Sequence, residues 1–142
     1  MSYPICDMRL LGIDHGEARI GLAISDEAET VARPLPIVIH HTARAADAEA
    51  IAQLATEHGV GKIIIGLPTD DEGQIGHQAR KVQRWAEALK TATTIPIEFW
   101  DESLSSLEAR ESRKQKKRKG NDHLVDAEAA AFILQSYLDS HR

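Results

Sequence analysis

Leu11-Gly12-Ile13-Asp14-His15-Gly16-Glu17-Ala18-Arg19-Ile20-Gly21-Leu22-Ala23-Ile24-Ser25 is the stretch whose pattern points to the fold. Two apolar runs, Arg9 to Asp14 and Arg19 to Ser25, flank the link His15-Gly16-Glu17-Ala18. Short aliphatic runs joined through a glycine-bearing link predict an antiparallel hairpin, with Gly16 available for a positive backbone angle. Asp14 closes the first run, where an ionised carboxylate has poor company unless something offsets its desolvation.

Downstream, Leu35 to Ile39 reads as a short strand after a turn at Arg33-Pro34. Ala48, Ile51, Ala52 and Ala55 recur at helical spacing within Ala43 to His58, and Gly59 supplies the stop. Lys62-Ile63-Ile64-Ile65-Gly66 is a continuous apolar run, the pattern of a strand buried on both faces. A loop over Thr69 to Gly73 precedes a second helix through Ile75, Ala79, Val82, Ala86 and Leu89. Ile95 to Trp100 gives another strand, and Ser105 with Glu108 forms a capping box opening a short helix. Leu124 to Leu138 is a long alanine-rich helix. A leading antiparallel hairpin followed by alternating helices and strands predicts an α/β three-layer fold, a mixed sheet with helices on its faces. The strand order stays open at this point.

The 142 residues suit one domain spanning 1–142. No apolar run reaches the ~20 residues a membrane span needs, and the first residues lack a signal-peptide layout. The one cysteine, Cys6, excludes an internal disulfide and fits a reducing, cytoplasmic setting. The net charge of −5 hides an asymmetry. Of 17 basic and 22 acidic residues, Arg110 to Lys119 holds seven of the bases and one acid, Glu111. Taken alone, such a run is either a solvated loop or a grip on a polyanion through counterion release.

Three acidic positions stand out. Asp14 and the pair Asp101-Glu102 follow buried strands, and Asp126 shares a helix face with Ala130 and Ile133. If these acids converge, their repulsion calls for a divalent cation, and oxygen-only ligands favour Mg²⁺ or Mn²⁺ over zinc. Two such ions about 4 Å apart activate water and stabilise the leaving oxygen in phosphodiester cleavage. Each acid singly also fits a plainer role: a turn cap at Gly16, a turn residue, or a charge beside a helix dipole. The seven histidines form no H-x-x-x-H pair, which argues against zinc. His15 is placed to touch a phosphate or simply to sit in the turn. Trp85 and Trp100 read as core.

These residues in this order resemble the YqgF type of protein, associated with pre-16S rRNA cleavage and with Holliday-junction resolution. The resemblance runs from Leu11 to Asp26, through Ala32-Arg33-Pro34-Leu35-Pro36 and Ile65-Gly66-Leu67-Pro68. It continues through Asp101-Glu102-Ser103-Leu104-Ser105-Ser106 to the helix from Val125 to Leu138. It implies an RNase H-like fold with catalytic, metal-binding acids at Asp14, Glu102 and Asp126. Asp101 and Glu102 point to opposite sides of an extended strand, so one faces the metals; Glu102 is preferred and Asp101 kept in reserve. Arg19 matches a family arginine and is a candidate phosphate contact or hairpin tie. Arg113, Lys114, Lys116, Lys117, Arg118 and Lys119 are candidate nucleic-acid contacts. The family usually carries arginine where Ser103 stands, so Arg19 or the basic segment would have to replace it.

The resemblance therefore implies a nuclease that trims the 5′ end of 16S rRNA precursor, as a monomer or weak homodimer. Resolution of branched DNA is the alternative within the same chemistry, and it needs a dimer to cut two strands symmetrically. A non-catalytic nucleic-acid-binding module of the same fold is the alternative outside it. Gly12-x-Asp14-x-Gly16 also resembles the phosphate loop of actin-like kinases, but those proteins hold ATP between two such domains and this length accommodates one.

Overall fold

A computed structural model describes residues 9–16, 19–40, 42–68, 76–101 and 122–141, without the side chains of 36–38, 40, 77 and 122–126. The elements are β1 (Arg9–His15), β2 (Arg19–Ser25), β3 (Ala32–His40), α1 (Arg44–Glu57), β4 (Val60–Leu67), α2 (His77–Ala92), β5 (Ile97–Asp101) and α3 (Asp122–Ser140). The five strands order as β3-β2-β1-β4-β5. β1 pairs antiparallel with β2, β2 antiparallel with β3, β1 parallel with β4 and β4 parallel with β5. The expected hairpin therefore sits inside a mixed sheet and supplies its central strand.

Alternation along β1 divides the core. Leu11 and Ile13 face α1 and α2 with Ile20, Leu22, Ile63 and Ile65. Leu10 faces α3 with Ala23 and Ile64. Ile63, Ile64 and Ile65 are all fully buried because β4 is covered on both faces, as its unbroken apolar run requires. Gly59 ends α1 at φ +68°, the left-handed cap position that glycine adopts without steric cost.

β3 is longer than expected. Arg33 and Pro34, read from sequence as a turn, lie within it, Pro34 in register with Ala23. β3 is an edge strand and both residues are exposed, the place where a sheet tolerates proline. The expected short helix at Ser105, the loop over Thr69 to Gly73, and Cys6 lie outside the described residues. Among the described residues no helix is long and apolar enough to cross a membrane.

Candidate functional site

β1, β3, β4 and β5 all end at one edge of the sheet, and Asp14 sits there, half-buried and in register with Gly21 of β2. Strand alternation places Asp14 with Leu10 and Gly12 on the α3 face. Arg19 starts β2 on the parity of Gly21 and Ala23, so it belongs to that same face. The turn between them is tight. Gly16 N–H donates to the Arg19 carbonyl at 2.9 Å, and a Cβ at Gly16 would lie 2.8 Å from that oxygen. Glycine is needed here for close approach rather than for the positive angle expected from sequence; among the described glycines only Gly59 has one.

Gly12 sets the cover over Asp14. A Cβ there would stand 2.8 Å from Leu134 Cβ and 3.0 Å from the Ala130 carbonyl, so only glycine lets α3 lie this close to β1. Towards its C-terminus α3 reaches the opposite edge: Ala32 N–H donates to Gln135 Oε1 at 2.8 Å, and Gln135 Nε2 donates to the Thr30 carbonyl at 3.0 Å. Ala32 is in register with Ser25, whose hydroxyl accepts from Leu10 N–H at 2.8 Å. The helix thus runs back along β1 with its first turns toward the Asp14 end. The backbone of residue 126 lies one turn, about 6 Å along the axis, beyond Ala130 in that direction. The Asp126 side chain is outside the described residues.

In β5, Ile97 and Phe99 pack toward α1 and α2, whereas Trp100 packs toward α3. Asp101 therefore falls on the face away from Asp14. Glu102, Ser103 and the basic residues Arg113, Lys114, Lys116, Lys117, Arg118 and Lys119 lie outside the described residues. Among the described residues no three His, Cys, Asp or Glu side chains form a metal-holding group, and of the expected acids only Asp14 and the reserve Asp101, on opposite faces, have described side chains.

Several polar clamps tie the second half of α3 to the sheet. Tyr137 hydroxyl accepts from Lys62 Nζ at 2.7 Å and donates to Glu98 Oε1 at 3.2 Å. Lys62 and Glu98 also pair directly, which raises the lysine pKa and lowers the glutamate pKa, chiefly through their shared hydrogen bond. Trp100 Nε1–H donates to Ser136 Oγ at 3.1 Å.

On the other face of the same edge, the His15 ring lies 4.8 Å from the Trp85 ring. A cleft of about 320 Å³ opens beside them between the first turns of α1 and α2, lined also by Arg44, Lys81 and Arg84. Trp85 is buried, as expected of a core residue, but its Nε1–H meets no acceptor among the described residues. Sequence reading singled out His15 without its direction. It ended the strand at Asp14 and put His15 in the turn, whereas β1 runs on through His15, which as Asp14's strand neighbour points to the opposite face. Arg44, Lys81 and Arg84, spread over two helices, carried no signal.

A family model described as RuvX, Holliday junction resolvase, matches residues 8–140. A protein of Anaeromyxobacter sp. named "Putative pre-16S rRNA nuclease" is 47% identical, covering 93% of this chain and 97% of its own. One of the same name from Thermoanaerobacter pseudethanolicus is 42% identical, covering 95% and 99%. Among solved structures, Thermus thermophilus RuvC in complex with Holliday junction substrate superposes with a TM-score of 0.58 at 17% identity, over 94% of this chain and 96% of that one. That likeness is one of fold, and it identifies the sheet and its helices as RNase H-like. With a family model spanning nearly its whole length and relatives above 40% identity, the chain belongs to the RuvX family, described as Holliday junction resolvase.

Proposed function

We propose that this chain is a metal-dependent nuclease that hydrolyses phosphodiester bonds in the 5′-end maturation of pre-16S rRNA. The observation that carries the reading is the close approach of α3 to β1 at Gly12, beside Asp14. That approach brings the backbone of residue 126 toward the edge where Asp14 stands. The resemblance adds Glu102, which follows Asp101 in the chain and lies outside the described residues. Asp14, Glu102 and Asp126 then form an oxygen-only donor set, which suits Mg²⁺ or Mn²⁺. Bound there, one or two such ions would supply an activated water and neutralise charge on the phosphate. Arg19, on the same face, is the residue that would orient the phosphate. The basic run from Arg113 to Lys119 would hold the strand by counterion release.

The substrate follows the names of the relatives, which support precursor rRNA. Branched DNA is the second reading, favoured by the family description and by the RuvC likeness. It requires two copies, each cutting one strand. Purified protein with Mg²⁺ or Mn²⁺ is to be offered a 5′-extended 16S precursor and a four-way junction, beside Asp14→Asn. Cleavage of the precursor alone by the unaltered chain supports the reading. Activity on neither substrate, or equal activity of Asp14→Asn, would sink it.

A further inference from the structure

We propose that the cleft between the first turns of α1 and α2 is a phosphate subsite, where the nucleic-acid strand is held after crossing the sheet edge from Asp14. The proposal rests on the nuclease reading for the identity of the strand, and on the cleft's own chemistry for the phosphate. Arg44, Lys81 and Arg84 are exposed at its rim. Among the described residues, the ion pairs Arg9–Glu27, Lys62–Glu98 and Lys90–Glu87 engage none of the three. Among the described residues Asp47 is the one acid of the lining, and it is buried. Its carboxylate accepts from the Thr42 backbone N–H at 3.2 Å and the Thr42 hydroxyl at 3.3 Å. The described lining is therefore cationic on an acidic chain, where a polyanion gains most from local attraction.

A further observation points to an anion. Both helices begin at this edge behind Ala43 and Gly76, neither of which provides a side-chain cap. Their first N–H groups and the positive ends of their dipoles suit a phosphate. Trp85 lies in the cleft lining, where its ring reports on what enters, although its own Nε1–H is buried out of reach. A strand rather than a small phosphate ester fits the form of the site. Its three cations are exposed along two helices instead of enclosing a ligand. Moreover, His15 in the lining adjoins Asp14 in the chain, so both faces of the edge are reached by one backbone passing over it.

The test measures binding of a fluorescein-labelled single-stranded RNA to Asp14→Asn, which keeps the RNA intact, with and without Lys81→Glu/Arg84→Glu. The double variant is expected to weaken binding about tenfold or more. It should also flatten the dependence of log K on log salt by about 0.7 for each phosphate that the variant no longer neutralises. Since both side chains are exposed, circular dichroism should be unchanged, and Arg44→Gln provides a milder second variant. Unchanged RNA affinity and salt slope in both variants would overturn the proposal. Inorganic phosphate forms the second arm, read from the Trp85 indole N–H resonance, assigned with Trp85→Phe. A shift in the parent but not in the double variant supports the phosphate site. A phosphate-induced shift alongside RNA binding indifferent to the variants means a small-phosphate pocket, and the strand proposal fails. Variant-sensitive RNA binding by a protein that cleaves nothing upholds the subsite while removing the nuclease reading.

Discussion

Asp14 and His15 are neighbours in the chain and serve opposite faces of one sheet edge. The Asp14 face is closely covered: α3 lies against Gly12 with no room for a methyl group. The His15 face is open, a cleft rimmed by three cations. In the two proposals made above, one strand end divides the work, with a carboxylate for chemistry on one side and positive charge for grip on the other. The difference teaches that net charge is a poor guide to partners here. A chain of −5 overall still presents Arg44, Lys81 and Arg84 together at one cleft.

The sharpest way to break the comparison is to disable one face alone. Asp14→Asn should reduce cleavage by more than about 100-fold, since even outer partners of metal sites cost about 10–100-fold, and should leave RNA binding intact. Loss of binding equal to loss of cleavage would mean that the two faces are not separate. Lys81→Glu/Arg84→Glu is the converse, removing grip by about tenfold at the other face. Gly12→Ala comes next. Its methyl group must displace Leu134 or the Ala130 carbonyl, at a cost of about 1–3 kcal/mol in urea unfolding, and cleavage should fall further than RNA affinity.

Two smaller changes test whether the far edge is only a fastening. Tyr137→Phe removes the hydroxyl bridging Lys62 and Glu98 and should cost about 0.5–1.5 kcal/mol, with cleavage retained. The smallest effect concerns Asp26, which turns the chain from β2 to β3. Its carboxylate accepts from Thr30 Oγ1 at 2.6 Å, Thr30 N–H at 2.7 Å and Val31 N–H at 3.1 Å, and these bonds hold its pKa at about 2, below the ordinary 3.8. A lowered carboxylate pKa stabilises the fold fully above pH 3.8 and loses that contribution as pH falls toward 2. Asp26→Asn should flatten acid unfolding in this window, followed by circular dichroism. An unchanged acid limb would show that the turn contributes nothing measurable.

Much of the frame is legible before any coordinates. Aliphatic runs mark β1, β2 and β4 because burial on a sheet demands them, helical spacing marks α1 and α2, and a long alanine-rich run marks α3. Strand order is not legible, since pairing across β1 joins segments about fifty residues apart that carry no mark of their partners. β3 was shortened by reading Arg33-Pro34 as a turn, an assignment an exposed edge strand overrides. In the site, the placement of Asp14 at a strand end was readable. Glu102, Asp126 and the basic run remain proposals, their side chains lying outside the described residues. The cleft was unreadable because its cations are single residues on separate helices, each ordinary in its own neighbourhood.

The fit of α3 over Gly12 has a consequence for the order of folding. The α1 and α2 face closes with residues from Leu11 to Phe99, whereas the other face waits for pairings such as Ala32 with Gln135, 103 residues apart. Such long-range closure is slow. Until it happens, Leu10, Ala23 and Ile64 lack their cover and the chain is prone to associate with itself. A chain cut before Asp122 should therefore accumulate as a sticky, catalytically silent intermediate, and adding α3 should switch on solubility and activity together.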